Sequence, residues 1–177
     1  NDIQGINWMD NGRYYTSQVQ DENDYYQHIL KYDITTGEVV DTLVNGRNLV
    51  EEGESFALVY GQYSLSPDET KVLVATEYEP IYRRSTRAYY YVYDTEDGSF
   101  RKLAEGGKQS YATFSPDGSK VAFTRDNNLF YVTLSDGSLT QVTYDGEQNQ
   151  LIHGSTDWVY EEEFSITKAF FWSPEGD

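Results

Sequence analysis

Cysteine is absent from this chain, and proline, methionine and histidine are scarce: four, one and two among 177 residues. Without thiols there is no disulfide framework and no thiolate metal site, although that absence does not fix a compartment. Two isolated histidines, His28 and His153, offer no cluster for zinc and read as surface or hydrogen-bonded structural residues. Basic residues are also few, thirteen against thirty acidic, for a formal net charge of -17. That balance argues against nucleic acid as a partner, because phosphate binding needs a basic face, and it disfavours an anionic membrane surface. No apolar run approaches the roughly 20 residues of a membrane helix, and no basic-then-apolar leader opens the chain. No Gly-rich loop offers a phosphate cradle. Asp21-Glu22-Asn23-Asp24 is rich in oxygen ligands but lacks the Gly and bidentate Glu of a calcium loop, so it reads as an exposed turn. No metal and no cofactor is therefore expected. The chain opens on Asn1-Asp2-Ile3-Gln4 and stops at Glu175-Gly176-Asp177, which looks like the middle of a turn and suggests a longer parent.

What the chain has in quantity is tyrosine, seventeen in all, together with a repeat. Aromatic and β-branched residues suit a pleated, half-buried surface. Ser66-Pro67-Asp68-Glu69-Thr70-Lys71-Val72 matches Ser115-Pro116-Asp117-Gly118-Ser119-Lys120-Val121, and Ser173-Pro174-Glu175-Gly176 begins a third copy. A weaker relative stands at Trp8-Met9-Asp10-Asn11-Gly12. The second half of each unit repeats as well: Tyr32-Asp33-Ile34-Thr35-Thr36-Gly37 resembles Tyr93-Asp94-Thr95-Glu96-Asp97-Gly98 and Val132-Thr133-Leu134-Ser135-Asp136-Gly137. Pro presets φ, and Asp and Gly favour a tight bend, so each Ser-Pro-Asp element predicts a turn. An alternating strand follows, then a second strand with an Asp-Gly turn, then a short outer strand such as 100–103 or 139–142. Four strands per unit, repeated in tandem, predict an all-β fold, a partial β-propeller of four-stranded antiparallel blades. The blades run over about 1–50, 51–108 and 109–146, with an insertion at 147–164 and the start of a further blade at 165–177. A closed ring needs about four to eight blades, so exposed edges would be met by the rest of a ring or by a second copy, a possible homodimer.

Two segments depart from the repeat. Gly154-Ser155-Thr156-Asp157-Trp158-Val159-Tyr160-Glu161-Glu162-Glu163-Phe164 sets three carboxylates behind a Trp-Val-Tyr wedge. Ser155, Thr156 and Asp157 are all good helix N-caps, predicting a short helical insertion near 155–163, whose dipole would favour glutamates near its N-terminus. Three adjacent like charges call for open water or a cation, and water becomes a poor answer if the wedge buries one side. A solvated acidic face is the plainer alternative. The second departure, Glu79 to Arg87, places Arg83, Arg84 and Arg87 between two strands expected at 71–78 and 88–93. Guanidinium can donate a planar pair of hydrogen bonds to a carboxylate or carbonyl; surface ion pairs worth ~0–1 kcal/mol each are the alternative.

Asp157-Trp158-Val159-Tyr160-Glu161-Glu162-Glu163 resembles the double-glutamate motif of dipeptidyl peptidase IV and its relatives in the prolyl oligopeptidase family. Phe170-Phe171-Trp172-Ser173-Pro174-Glu175-Gly176, Tyr63-Ser64-Leu65-Ser66-Pro67-Asp68 and Arg83-Arg84-Ser85 resemble the family in order and spacing. The seven-residue motif is specific; Ser-Pro-Asp-Gly turns occur in many propellers. The resemblance implies an eight-bladed propeller followed by a C-terminal α/β-hydrolase domain that lies outside these residues. It implies that Glu162 and Glu163 bind the free N-terminal ammonium of a peptide, and that Arg83 holds a substrate carbonyl. Arg84 stands where some relatives have histidine and receives no role, and none is carried to Phe164 or Ser165. A serine-type dipeptidyl peptidase, exported to the periplasm or cell surface and releasing X-Pro or X-Ala dipeptides, is the parent that the resemblance implies. Its partners would be peptide substrates and its own hydrolase domain. A tripeptidyl relative is one alternative. A non-enzymatic periplasmic protein-binding propeller is another, but it has no reason to carry Asp157 to Glu163.

No Gly-x-Ser-x-Gly elbow occurs in these residues. The isolated 177-residue chain should therefore leave a Gly-Pro chromogenic substrate intact. Measurable turnover by the purified chain would show a nucleophile that the sequence conceals.

Overall fold

The computed structural model describes residues 5–20, 22–23 and 25–176. The chain opening at Asn1 to Gln4, two of the four residues in the acidic turn (Asp21 and Asp24), and Asp177 of the third repeat lie outside them. The chain divides into two compact units. One comprises Asn1–Leu65, Glu69–Thr76 and Tyr91–Arg101, the other Ser66–Asp68, Glu77–Tyr90 and Lys102–Asp177.

Among the described residues the fold is all-β apart from one short α-helix and two 3-10 turns, Asp10–Gly12 and Gly46–Asn48. Strands β1 (Asn7–Met9), β2 (Tyr14–Gln20), β3 (Gln27–Asp33) and β4 (Val39–Val44) form a four-stranded sheet in that order within the first unit. Cross-strand rings line one stretch of it. Tyr15 stacks on Tyr32 at 5.0 Å between centroids, and Trp8 meets Tyr15 edge-on. A second sheet has the order β5 (Gln62–Leu65), β6 (Lys71–Pro80), β7 (Thr86–Asp94), β8 (Phe100–Lys102). The third, β9 (Ser110–Phe114), β10 (Lys120–Arg125), β11 (Asn128–Thr133) and β12 (Leu139–Gln141), lies wholly in the second unit. Its central hairpin turns on Asp126 and Asn127, both with positive φ, the geometry that matches strand twist in a two-residue turn.

The repeated turns use the residues that the sequence singled out, and the serine is their hub. The Ser66 hydroxyl donates to Asp68 Oδ1 at 2.5 Å, and the Ser115 hydroxyl to Asp117 Oδ1 at 2.6 Å. Ser115, fully buried, also accepts the Lys120 amide at 2.9 Å, which ties the turn to the strand it feeds. Gly118 takes φ 70°, where Glu69 holds φ 61° in the other copy. The second-half turns agree too. Gly37, Gly98 and Gly137 each donate an amide to the carbonyl four residues back, Asp33, Asp94 and Thr133, at 2.8–3.0 Å with φ near 72°.

One expectation fails in detail. The strands after the Ser-Pro-Asp turns do not alternate: Val72 to Thr76 and Val121 to Thr124 are buried without interruption. These are inner strands covered on both faces, so continuous apolar runs replace the period of two. No strand is assigned over 165–176 among the described residues. The Trp172 indole donates to the Thr113 carbonyl at 3.0 Å, and Lys120 lies over the Trp172 ring, which fastens this stretch to β9 and β10. His28 accepts the Gly46 amide and His153 contacts Asp145 at 2.8 Å, both structural uses.

The Ser115 hydroxyl first, then the Ser119 hydroxyl and amide, hold the Asp117 carboxyl down to about 2. A depressed carboxyl contributes stability above its unfolded value near 4, and that contribution is lost as pH falls toward 2. Thermal melts should therefore drop more steeply between pH 5 and pH 2 for the native chain than for Asp117→Asn. Parallel curves would rule out this turn as a source of acid sensitivity.

Candidate functional site

Helix α1 (Trp158–Phe164) begins where a strong cap meets a clamped base. The Asp157 carboxylate accepts the Val159 amide at 2.9 Å and the Tyr160 amide at 3.1 Å. Below it, the Thr156 amide donates to Thr167 and the Ala169 amide to Gly154, so the helix is an excursion held at its foot by two antiparallel segments of chain. A Cβ at Gly154 would come within 2.7 Å of a Thr124 methyl, and its φ is 76°, so glycine suits this position on two counts. At the other end Ser165 takes a left-handed φ of 56° and donates its amide to the Glu161 carbonyl, while Ile166 donates to Tyr160, a Schellman-type close.

The wedge does not bury the acids. Trp158 and Tyr160 are each more than half exposed. Instead the three glutamates divide by depth: Glu161 is 1% exposed, Glu162 intermediate and Glu163 exposed. The expected help from the helix dipole reaches only Glu161 in the first turn. Glu162 and Glu163 stand in the last turn, where the dipole disfavours anions and adds to their mutual repulsion. This pair needs a cation more than the sequence alone suggested.

The turn carrying the arginines is shorter than expected. Strand β6 runs on to Pro80 and β7 starts at Thr86, leaving a tight turn over 81–85 closed by Ile81 N–H to Ser85 O at 2.9 Å and Tyr82 N–H to Ser85 Oγ at 3.2 Å. Cross-strand pairing outcompetes loop here, and it puts Arg87 on a strand, where it pairs with Glu79 and holds that carboxyl below its usual range. Lys108 joins them, 3.7 Å from Glu79. Arg83 is directed to the helix: its Nη1 lies 3.6 Å from Glu162 Oε2. The three residues singled out for binding thus fall together in one unit, with Arg83 beside Glu162 and Glu163 adjacent.

Arg84, to which no role was given, makes the firmest contacts of the turn. Its amide donates to the buried Glu161 carboxylate at 2.5 Å, and its guanidinium donates to Ser165 Oγ at 2.5 Å. No one-dimensional signal marks this pair, because its members are 77 residues apart. A hollow of about 220 Å³ opens beside the turn, lined by Tyr82, Arg87, Lys108, Tyr111 and Arg125 among others, but it does not include the glutamate pair. Among the described residues no helix is long and apolar enough to cross a membrane.

Antiparallel four-stranded sheets strung in sequence, followed by a helix whose Glu162 lies 3.6 Å from Arg83, define a blade-built β-propeller region. Residues 66–177 match the family described as the dipeptidyl peptidase IV (DPP IV) N-terminal region, and the chain belongs to it. The chain is 35% identical over 172 residues to human prolyl endopeptidase FAP, covering 96% of this chain and 21% of that protein. It is 35% identical over 157 residues to dipeptidyl aminopeptidase B of Saccharomyces cerevisiae, covering 88% and 18%. It thus spans about a fifth of the length of such relatives. The crystal structure of Porphyromonas gingivalis dipeptidyl peptidase 4 superposes with a TM-score of 0.86 and 38% identity, over 97% of this chain and 24% of that one. TolB from Acinetobacter baumannii, 18% identical with a TM-score of 0.50 over 80% of this chain and 32% of that chain, shares the fold alone.

Removing the cap by Asp157→Ala should cost about 1 kcal/mol, the usual value of an N-cap carboxylate. Urea melts measure it, and an unchanged midpoint would mean that the clamped base alone holds α1.

Proposed function

We propose that this chain is the part of a DPP IV-like serine exopeptidase that reads the free N-terminus of a peptide and limits release to dipeptides. The observation that carries the reading is the pairing of Glu162 and Glu163 in the last turn of α1 with Arg83 3.6 Å from Glu162. Two anions at the wrong end of a helix dipole form a site for a compact cation, and a peptide α-ammonium has three donors to share between them.

Arg83 serves as the placeholder. Its side chain is 75% exposed while that of Glu162 is 19% exposed, and at 3.6 Å a pair whose cation stands in water is worth only about 1 kcal/mol. An arriving ammonium displaces it at little cost. Arg83 then turns its planar donors to a carbonyl of the same substrate, fixing the peptide's direction as well as its end. A peptide with a blocked N-terminus leaves both carboxylates unmatched, and such a mismatch is strongly discriminated against. Two extended residues reach about 6–7 Å, so the acidic pair acts as a ruler that sets the scissile bond after the second residue. Bond cleavage itself is assigned to a Ser-His-Asp triad in the C-terminal α/β-hydrolase domain of the same polypeptide, with the whole protein exported from the cytoplasm.

The test uses the protein that carries this chain. Glu162→Ala or Glu163→Ala should lower kcat/KM for Gly-Pro-p-nitroanilide about 10- to 100-fold, the size of one charge-assisted hydrogen bond. The double variant should abolish dipeptide release while far-ultraviolet circular dichroism stays native. N-acetylated substrate should be refused by the native protein. Equal cleavage of free and acetylated peptides would remove the ruler.

A further inference from the structure

We infer that Glu161 is a positioning residue of this site: its buried carboxylate fixes the Arg83-Arg84 turn through the Arg84 amide and so sets where the Arg83 guanidinium sits. The inference rests on the reading of Glu162, Glu163 and Arg83 as an N-terminus site, and it deepens that reading.

Three observations carry it. Glu161 is 1% exposed, whereas Tyr160 before it is exposed and Glu162 after it only half-buried. Burying a carboxylate is costly unless hydrogen bonds replace its hydration, so its depth reflects a structural demand rather than chance. The atom it binds is a backbone amide, that of Arg84, at 2.5 Å. A backbone anchor fixes the course of the main chain, and Arg83 is the preceding residue on that chain. Arg84 closes the grip from the other side, donating from Nη1 to Ser165 Oγ just past the last turn of α1.

The surroundings point the same way. Opposite Phe123 of β10, strand β9 accommodates two residues, Tyr111 and Ala112, in a bulge. Tyr111 takes φ 60° there, a left-handed conformation that is uncommon for an aromatic residue. Bulges re-aim side chains; burial pushes the Tyr111 phenol's pKa up, Ser85 and Thr167 pull it back, and the Glu161 charge adds to the rise. Ser85 is the residue that closes the arginine turn, and Thr167 belongs to the foot of α1. Backbone strain at a bulge is thus placed where it joins the same two segments that Glu161 joins. Buried Glu161 and half-buried Tyr111 together form a polar latch between the helix bearing the acids and the turn bearing the arginine.

The experiment measures steady-state kinetics of Gly-Pro-p-nitroanilide hydrolysis by the protein that carries this chain. Glu161→Ala should raise KM about tenfold, comparable to loss of a charge-assisted hydrogen bond. Glu161→Gln, whose amide oxygen can still accept from Arg84, should remain within about threefold of native. In an Arg83→Ala background the same Glu161→Ala change should add little, because the group it positions is gone. A merely structural glutamate would lower the melting temperature but would not show this dependence on Arg83. Should Glu161→Ala not accumulate as folded protein, Glu161→Met, similar in volume and without an acceptor, carries the same test. Native KM in Glu161→Ala alongside a raised KM in Glu162→Ala overturns this inference alone. Additive losses from Glu161→Ala and Arg83→Ala do so as well. Native KM in both Glu161→Ala and Glu162→Ala removes the N-terminus reading and this inference with it.

Discussion

A carboxylate taken out of water must be given donors, and Glu161 sets that condition for everything around the acidic helix. Its partner is the Arg84 main-chain amide, so satisfying one buried charge decides the path of a turn whose neighbouring side chain, Arg83, reaches the next glutamate. The three consecutive glutamates therefore do different work. The first is an internal fastening. The second is half-buried and the third exposed, at the end of a seven-residue helix where the dipole offers them nothing.

That arrangement depends on a rigid frame. Helix α1 has too few residues to be stable alone. It persists because Asp157 caps it, the segments 154–156 and 167–169 pair antiparallel at its foot, and Arg84 and Ser165 close its far end. The neighbouring sheet is held by buried side-chain hubs of the same kind. Ser115 knots the turn into β10, and the buried Gln109 side chain donates to the Gly107 carbonyl while its backbone pairs with Ala88 of β7. Polar groups in this protein are thus buried where two segments must keep a fixed relation.

Much of this was legible in one dimension. Ser-Pro-Asp and Asp-Gly elements are local devices, in which φ preference and a side chain two residues away decide the bend, so the twelve strands and their turns follow from spacing. Asp157 likewise announces α1, because an N-cap acts within three residues. Misreadings came where distant residues decided. The strands at 72–76 and 121–124 lose their alternation because cover on the second face comes from elsewhere. The Trp-Val-Tyr wedge, apolar by composition, stays exposed. Arg87 pairs with Glu79 across the hairpin, the surface ion pair that the sequence reading held open for these arginines.

The sequence by itself determined the blade repeat, the helix within the insertion, the surplus of negative charge and the family motif, since each is written in residues that act on near neighbours. Only the tertiary structure decided which of three identical side chains would be buried and which arginine would serve it. Burial is a property of what packs against a residue, and Glu161 and Arg84, 77 positions apart, become partners only when the strands between them have paired.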